Sequence, residues 1–165
     1  MMRPEELSSV MAQLRRAFDI PPDCEIAIEV DPRTIEEDYA AAMAREGFIR
    51  ASIGVQSFDP AVQAAINRVQ GFDRTRDTIS MLRRRGIASI NFDLIYGLPL
   101  QDVKSCLETV DLALTLDPNR FAIFGYAHVP AFKRHQRRIL EADLADSKWR
   151  LDQAEAMADK LVGAG

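Results

Sequence analysis

Four short apolar segments begin at residues 25, 50, 89 and 120, with stretches between them long enough to hold a helix. No other feature constrains the fold as tightly. The segments are Glu25–Val30, Arg50–Gln56, Ser89–Tyr96 and Arg120–Tyr126, each rich in Ile, Val or Phe with polar residues near its ends. Runs of this kind fit strands buried on both faces, as in parallel sheets. Parallel neighbours need a crossover of a dozen or more residues, and a helix is the usual one.

Helix signals fill the gaps. Thr34 reads as an N-cap, with Glu37 and Asp38 in the first turns, and Gly47 closes the Ala-rich stretch after Tyr39. Asp73–Arg85 carries Ile79, Met81 and Leu82 and stops at Gly86. Ser105–Leu116 sets Leu107, Val110 and Leu114 on one face and stops before Asp117-Pro118. Pro4–Phe18 reads as an opening helix, Asp146–Val162 as a closing one, and Pro60–Asn67 as a short helix followed by a loop. Strand and helix alternation predicts an α/β fold with a parallel sheet. No Gly-x-Gly-x-x-Gly follows a strand, which argues against a doubly wound dinucleotide fold. The expectation is a partial (βα) barrel spanning 1–165 as one domain. Chemistry in such barrels sits at the C-terminal ends of strands. Those ends carry Glu29 and Asp31, then Gln56, then Asp93 and Tyr96, then Tyr126 and His128.

Composition narrows the function classes. Net charge is −4 with both signs interspersed, so no basic tract suggests nucleic acid or an anionic membrane surface. The opening Met1-Met2-Arg3-Pro4 lacks the apolar core of a secretory signal, and a cytoplasmic address is expected. Cys24 and Cys106 are the two cysteines. Their separation offers neither a zinc site nor the grouped thiols of an iron–sulfur cluster, and both are expected to be plain thiols.

Four blocks carry more than fold information. Ile28-Glu-Val-Asp-Pro32, Arg50-Ala-Ser-Ile-Gly-Val-Gln-Ser-Phe58, Asn91-Phe-Asp-Leu-Ile-Tyr-Gly-Leu-Pro99 and Phe124-Gly-Tyr-Ala-His-Val-Pro130 occur in this order. Together they resemble the central strands of the oxygen-independent coproporphyrinogen III oxidase group of radical S-adenosylmethionine proteins. The resemblance covers roughly Glu25 to Leu144. Asn67-Arg68-Val69-Gln70, Tyr126-Ala127-His128-Val129-Pro130 and the following Phe132-Lys133-Arg134-His135-Gln136-Arg137 favour the oxidase branch. The haem-chaperone-like branch, the alternative, typically shows Gly-Arg-x-His and Glu-Pro-Gly-Thr there. A non-catalytic barrel piece that assembles with another chain is a third possibility.

The resemblance implies a central fragment with about four of six barrel strands. The family's Cys-x-x-x-Cys-x-x-Cys motif does not occur in these residues. It also implies that the intact parent uses S-adenosylmethionine and a [4Fe-4S] cluster. The resulting 5′-deoxyadenosyl radical would convert two propionates of coproporphyrinogen III to vinyl groups, giving protoporphyrinogen IX. This chain alone is expected to lack that activity and to bind no cluster.

On the same basis the cofactor's three handles find partners. The guanidinium of Arg68 can grip the α-carboxylate through paired hydrogen bonds. Glu29 suits the α-ammonium, while Gln56 and Asp93 suit the ribose hydroxyls. Ala127 would meet adenine through its backbone, and Tyr126 and His128 would line the cofactor or the porphyrinogen. Asp93 sits in so apolar a strand that burying it without a partner would be costly. Asp31 is assigned instead to the Asp-Pro-Arg turn. Lys133, Arg134, Arg137 and Arg138 are candidates for propionates. An unpaired outer edge on Glu25–Val30 predicts a homo-oligomer or aggregation.

Overall fold

The computed structural model describes residues 2–165, the side chain of His135 excepted. Its sheet has four strands: β1 (Ala27–Val30), β2 (Arg50–Gln56), β3 (Ser89–Tyr96) and β4 (Arg120–Gly125). All three pairings are parallel and the spatial order is β1-β2-β3-β4. The winding never reverses, so the sheet lacks the switch point of a doubly wound fold. It is an arc of a (βα) barrel, as the spacing predicts. Both outer strands, β1 and β4, pair on one side only among the described residues.

The helices are α1 (Pro4–Ala17), α2 (Glu37–Arg45), α3 (Pro60–Ala65), α4 (Phe72–Arg84), α5 (Val103–Leu114) and α6 (Ser147–Ala164). Two 3₁₀ turns, Arg134–Arg138 and Glu141–Asp143, lie between β4 and α6. Helix α1 packs on α2, α2 on α4, and α5 on α6. Local chemistry sets the ends. Asp59 accepts from the N–H groups of Ala61 and Val62 at 2.7 and 3.1 Å, and Pro60 starts the helix where no N–H is needed. Gly47 and Gly86, at φ of 81° and 86°, take the left-handed position after α2 and α4.

Thr34 is not the cap of α2. The backbone N–H groups of Thr34 and Ile35 both bond to the Asp31 carbonyl, so the turn after β1 extends further and Glu36 occupies the cap position. The strands also differ from the two-sided burial expected. On β2, Ala51, Ile53 and Val55 are buried against helices, as are Ile90, Phe92 and Leu94 on β3. Alternate residues face a partly open concave side. A barrel's inner wall is one face of its strands, and here that face is polar at Glu29, Ser52, Gln56, Asn91 and Asp93 and apolar at Ile95, Ala122 and Phe124.

Candidate cofactor-binding site

Strand alternation and register assemble the site. Glu29 pairs in register with Ser52, Ser52 with Asn91, and Gly54 with Asp93. A bulge between Gly54 and Gln56 raises the end of β2, and Gln56 has a φ of 65°. Such a kink re-aims a side chain at a strand end. Glu29, Asp31, Ser52, Gln56, Arg68 and Asp93 line one cavity of about 350 Å³, with Gly54 on its wall. Glu29, Gln56 and Asp93 therefore share a concavity at staggered heights, not a level row.

Arg68 enters from the connection between β2 and α4. Its Nη2 donates to the Gly54 carbonyl at 2.9 Å and lies 3.4 Å from Gln70 Oε1, while Nη1 lies 3.4 Å from Asp31 Oδ2. Its Nε is buried without a hydrogen-bond partner among the described residues. Burial pushes the guanidinium below its ordinary pKa, opposed by the nearby Asp31 carboxylate. Gly54 is what permits this approach. A Cβ there would stand 2.8 Å from Gln56 Nε2 and 3.1 Å from Arg68 Nη2.

Asp31 does more than shape its turn. It accepts from the Arg33 backbone N–H at 3.0 Å and from the Arg33 guanidinium, and it also faces Arg68. The Arg33 hydrogen bond, with help from Arg68, holds its carboxyl at about 2. Asp93 is half-buried on the concave face, not sealed inside an apolar strand. It accepts from Ser52 Oγ at 3.2 and 3.3 Å and from Asn91 Nδ2 at 2.8 Å. Those donors occupy part of its lone-pair capacity and fix its rotamer.

Ala127 lies outside this cavity, exposed, and its carbonyl accepts from Gln136 Nε2 at 3.0 Å. Tyr126 and His128 approach each other, Oη to Nδ1 3.4 Å, beyond β4. The sequence reading misses Ser52 and Gly54 as wall residues, and Asn91 as a donor to Asp93. Their period-two spacing with Gln56 and Asp93 is the signal that marks them. The cysteines fit no metal. Cys24 is exposed, Cys106 is buried with its thiol pushed up to about 12, chiefly by burial, and the described residues hold no cluster of metal-ligating groups.

A parallel barrel arc with a polar, Arg-containing pocket at its strand ends defines a class, and comparison with known proteins gives its family. Residues 1–113 match the model of the Radical SAM superfamily, and the chain belongs to it. Within that family it is similar to an oxygen-independent coproporphyrinogen III oxidase of Bradyrhizobium diazoefficiens, 56% identical over 164 residues, covering 99% of this chain and 36% of the relative. It is 45% identical to the uncharacterized protein y4hJ of Sinorhizobium fredii, covering 99% of this chain and 64% of that protein. Among solved structures, coproporphyrinogen III oxidase (HemN) from Escherichia coli superposes with a TM-score of 0.93 at 38% identity, over 99% of this chain and 38% of that one. The chain thus spans a little over a third of the oxidases it matches.

Proposed function

We propose that this chain is the central part, one partial barrel domain over residues 1–165, of a cytoplasmic oxygen-independent coproporphyrinogen III oxidase. In this reading the concave pocket binds S-adenosylmethionine. The observation that carries it is the convergence of Glu29, Gln56, Arg68 and Asp93 on one cavity. The donor set fits the cofactor's chemistry. Arg68 has a buried Nε without a partner, and a guanidinium suits a carboxylate. Glu29 is an exposed carboxyl group that suits an ammonium, and Gln56 and Asp93 offer an amide and an acceptor to vicinal hydroxyls. When bound, S-adenosylmethionine would supply the 5′-deoxyadenosyl group that the family's chemistry uses. Asp31 and Gly54 orient Arg68, and Ser52 and Asn91 hold the Asp93 carboxylate, which would accept from the ribose. Ala127 would contribute backbone contact to adenine from the segment after β4.

The residues described here do not fit the [4Fe-4S] cluster, whose ligands are grouped thiolates. Coproporphyrinogen III is the substrate proposed for the parent enzyme. Arg134 and Arg138, with Asn67 and Ile139, line a second cavity of about 590 Å³ suited to a propionate. No helix among the described residues is long and apolar enough to cross a membrane. The two half-paired outer strands, β1 and β4, make association with another chain part of this proposal.

Calorimetric titration of the chain with S-adenosylmethionine tests the pocket. Saturable binding weakened roughly tenfold or more by Arg68→Ala is expected, the scale of a lost charged hydrogen-bonding group. Binding indifferent to that change would remove Arg68 and the carboxylate assignment with it.

A further inference from the structure

Arg68 sits in an irregular connection, and nothing in its immediate neighbours' sequence explains why a guanidinium should stay at one place. Gln63, on α3, supplies the explanation. It is only 5% exposed. Its Nε2 donates to the carbonyls of Ser57 at 2.8 Å and Gln70 at 2.7 Å, and its Oε1 accepts from the Gln70 N–H at 2.9 Å. Its own backbone carbonyl accepts from the Arg68 N–H at 2.8 Å. One buried amide therefore ties the start of the connection to its end, with Arg68 held between them. Gln70, 2% exposed, passes the restraint on: its Nε2 donates to Thr75 Oγ1 on α4 at 3.1 Å, and its Oε1 faces Arg68 Nη2.

Other buried amides pin other strand exits. Gln153 and Gln101 brace the turn after β3, and Gln136 braces Ala127 and Val129 after β4. Among these amides of the described residues, only the Gln63 clamp leads, through Gln70, to a charged side chain of the pocket.

We infer that Gln63 is a positioning residue for Arg68, fixing the guanidinium over Gly54 before any ligand arrives. The role in binding rests on the pocket reading above; the role in holding Arg68 does not. Preorganisation of this kind lowers the ordering cost that binding would otherwise meet. Every side-chain bond Gln63 makes is to backbone, so a change there removes no direct bond to a pocket side chain.

Nuclear magnetic resonance of the ¹⁵N-labelled chain provides the first readout, using the Nε–H signal of Arg68, assigned by its loss in Arg68→Lys. In the unaltered chain this signal should be motionally restricted. Gln63→Met removes both amide functions, and Gln63→Glu keeps shape and acceptor but loses the donor. Each should broaden or release the Arg68 signal while amide signals of β2 and β3 persist. The Glu variant answers where the Met variant does not fold. Gln153→Met, the control, should leave the Arg68 signal unchanged. A restricted Arg68 signal in every Gln63 variant that folds overturns the inference.

The second readout is a double-substitution cycle in S-adenosylmethionine titrations. Gln63→Glu should weaken binding about threefold to tenfold in the unaltered chain, the scale of ordering one long side chain on binding, and by less than about twofold in the Arg68→Lys background. Equal loss in both backgrounds would make Gln63 a structural residue only. An unaltered chain that does not bind would refute the pocket reading, and the Arg68 signal would still decide for or against Gln63.

Discussion

On β3, Ile90, Phe92 and Leu94 are fully buried beneath the helices, while Asn91 and Asp93, one residue away, look into a polar concavity. The same alternation on β2 separates Ala51, Ile53 and Val55 from Ser52, Gly54 and Gln56. The two faces are made of the same backbone and follow different physics. The helix-facing side is held by apolar burial and close packing, which tolerate little change in volume. The concave side is held by directional hydrogen bonds among Ser52, Asn91 and Asp93. A sheet can thus carry a demanding core and an adaptable site because residues one apart share almost no neighbours.

Phe92→Ala should show the largest effect. Phe92 is completely buried and meets Phe121 edge-on, with centroids 6.0 Å apart. Removing the ring should cost about 3–5 kcal/mol in urea unfolding. A loss below about 1 kcal/mol would contradict the packed face. Asp93→Asn is the matched change one residue along. The amide can still accept from Ser52 or Asn91, so stability should move by less than about 1 kcal/mol. Binding of S-adenosylmethionine should nonetheless fall roughly tenfold in calorimetry. A fall in stability as large as that of Phe92→Ala would erase the distinction between the faces.

The smallest effect is pH-dependent. Asp31 has its folded carboxyl held at about 2, first by the Arg33 side-chain hydrogen bond, against an ordinary unfolded value of about 3.9. A depressed carboxyl adds stability that is present above the unfolded value and lost as pH falls through the folded one. Asp31→Asn should therefore have a lower urea midpoint than the unaltered chain near neutrality. The gap should narrow as pH falls from about 4 toward about 2. Because Asp31 is partly exposed, the difference should be modest. A gap that is constant with pH would assign the stabilisation to shape and not to charge.

Local sequence was enough to place the four strands, the helices between them and the Gly47 and Gly86 stops. Those signals are short-range: apolar runs, turn residues and glycine's freedom at positive φ. Glu29, Gln56 and Asp93 could be named from strand ends alone, and the parallel arc brings them to one cavity with Arg68. Ala127 does not line that cavity, and its carbonyl accepts from Gln136. Thr34 fails as a cap because the Asp31 turn takes up the backbone first.

The alternation and spacing of apolar runs and helix signals therefore determined an α/β chain of parallel strands, since a parallel neighbour needs a helix-length crossover. Tertiary structure alone decided that Ser52 donates to Asp93, that Asp31 turns to Arg68, and that Gln63 ties the connection carrying it. Those facts depend on hydrogen bonds between groups that no local pattern relates, such as Arg68 to Gly54 and Ser52 to Asp93. A buried amide satisfies whichever backbone groups folding brings within about 3 Å of it, and a linear sequence does not state that distance.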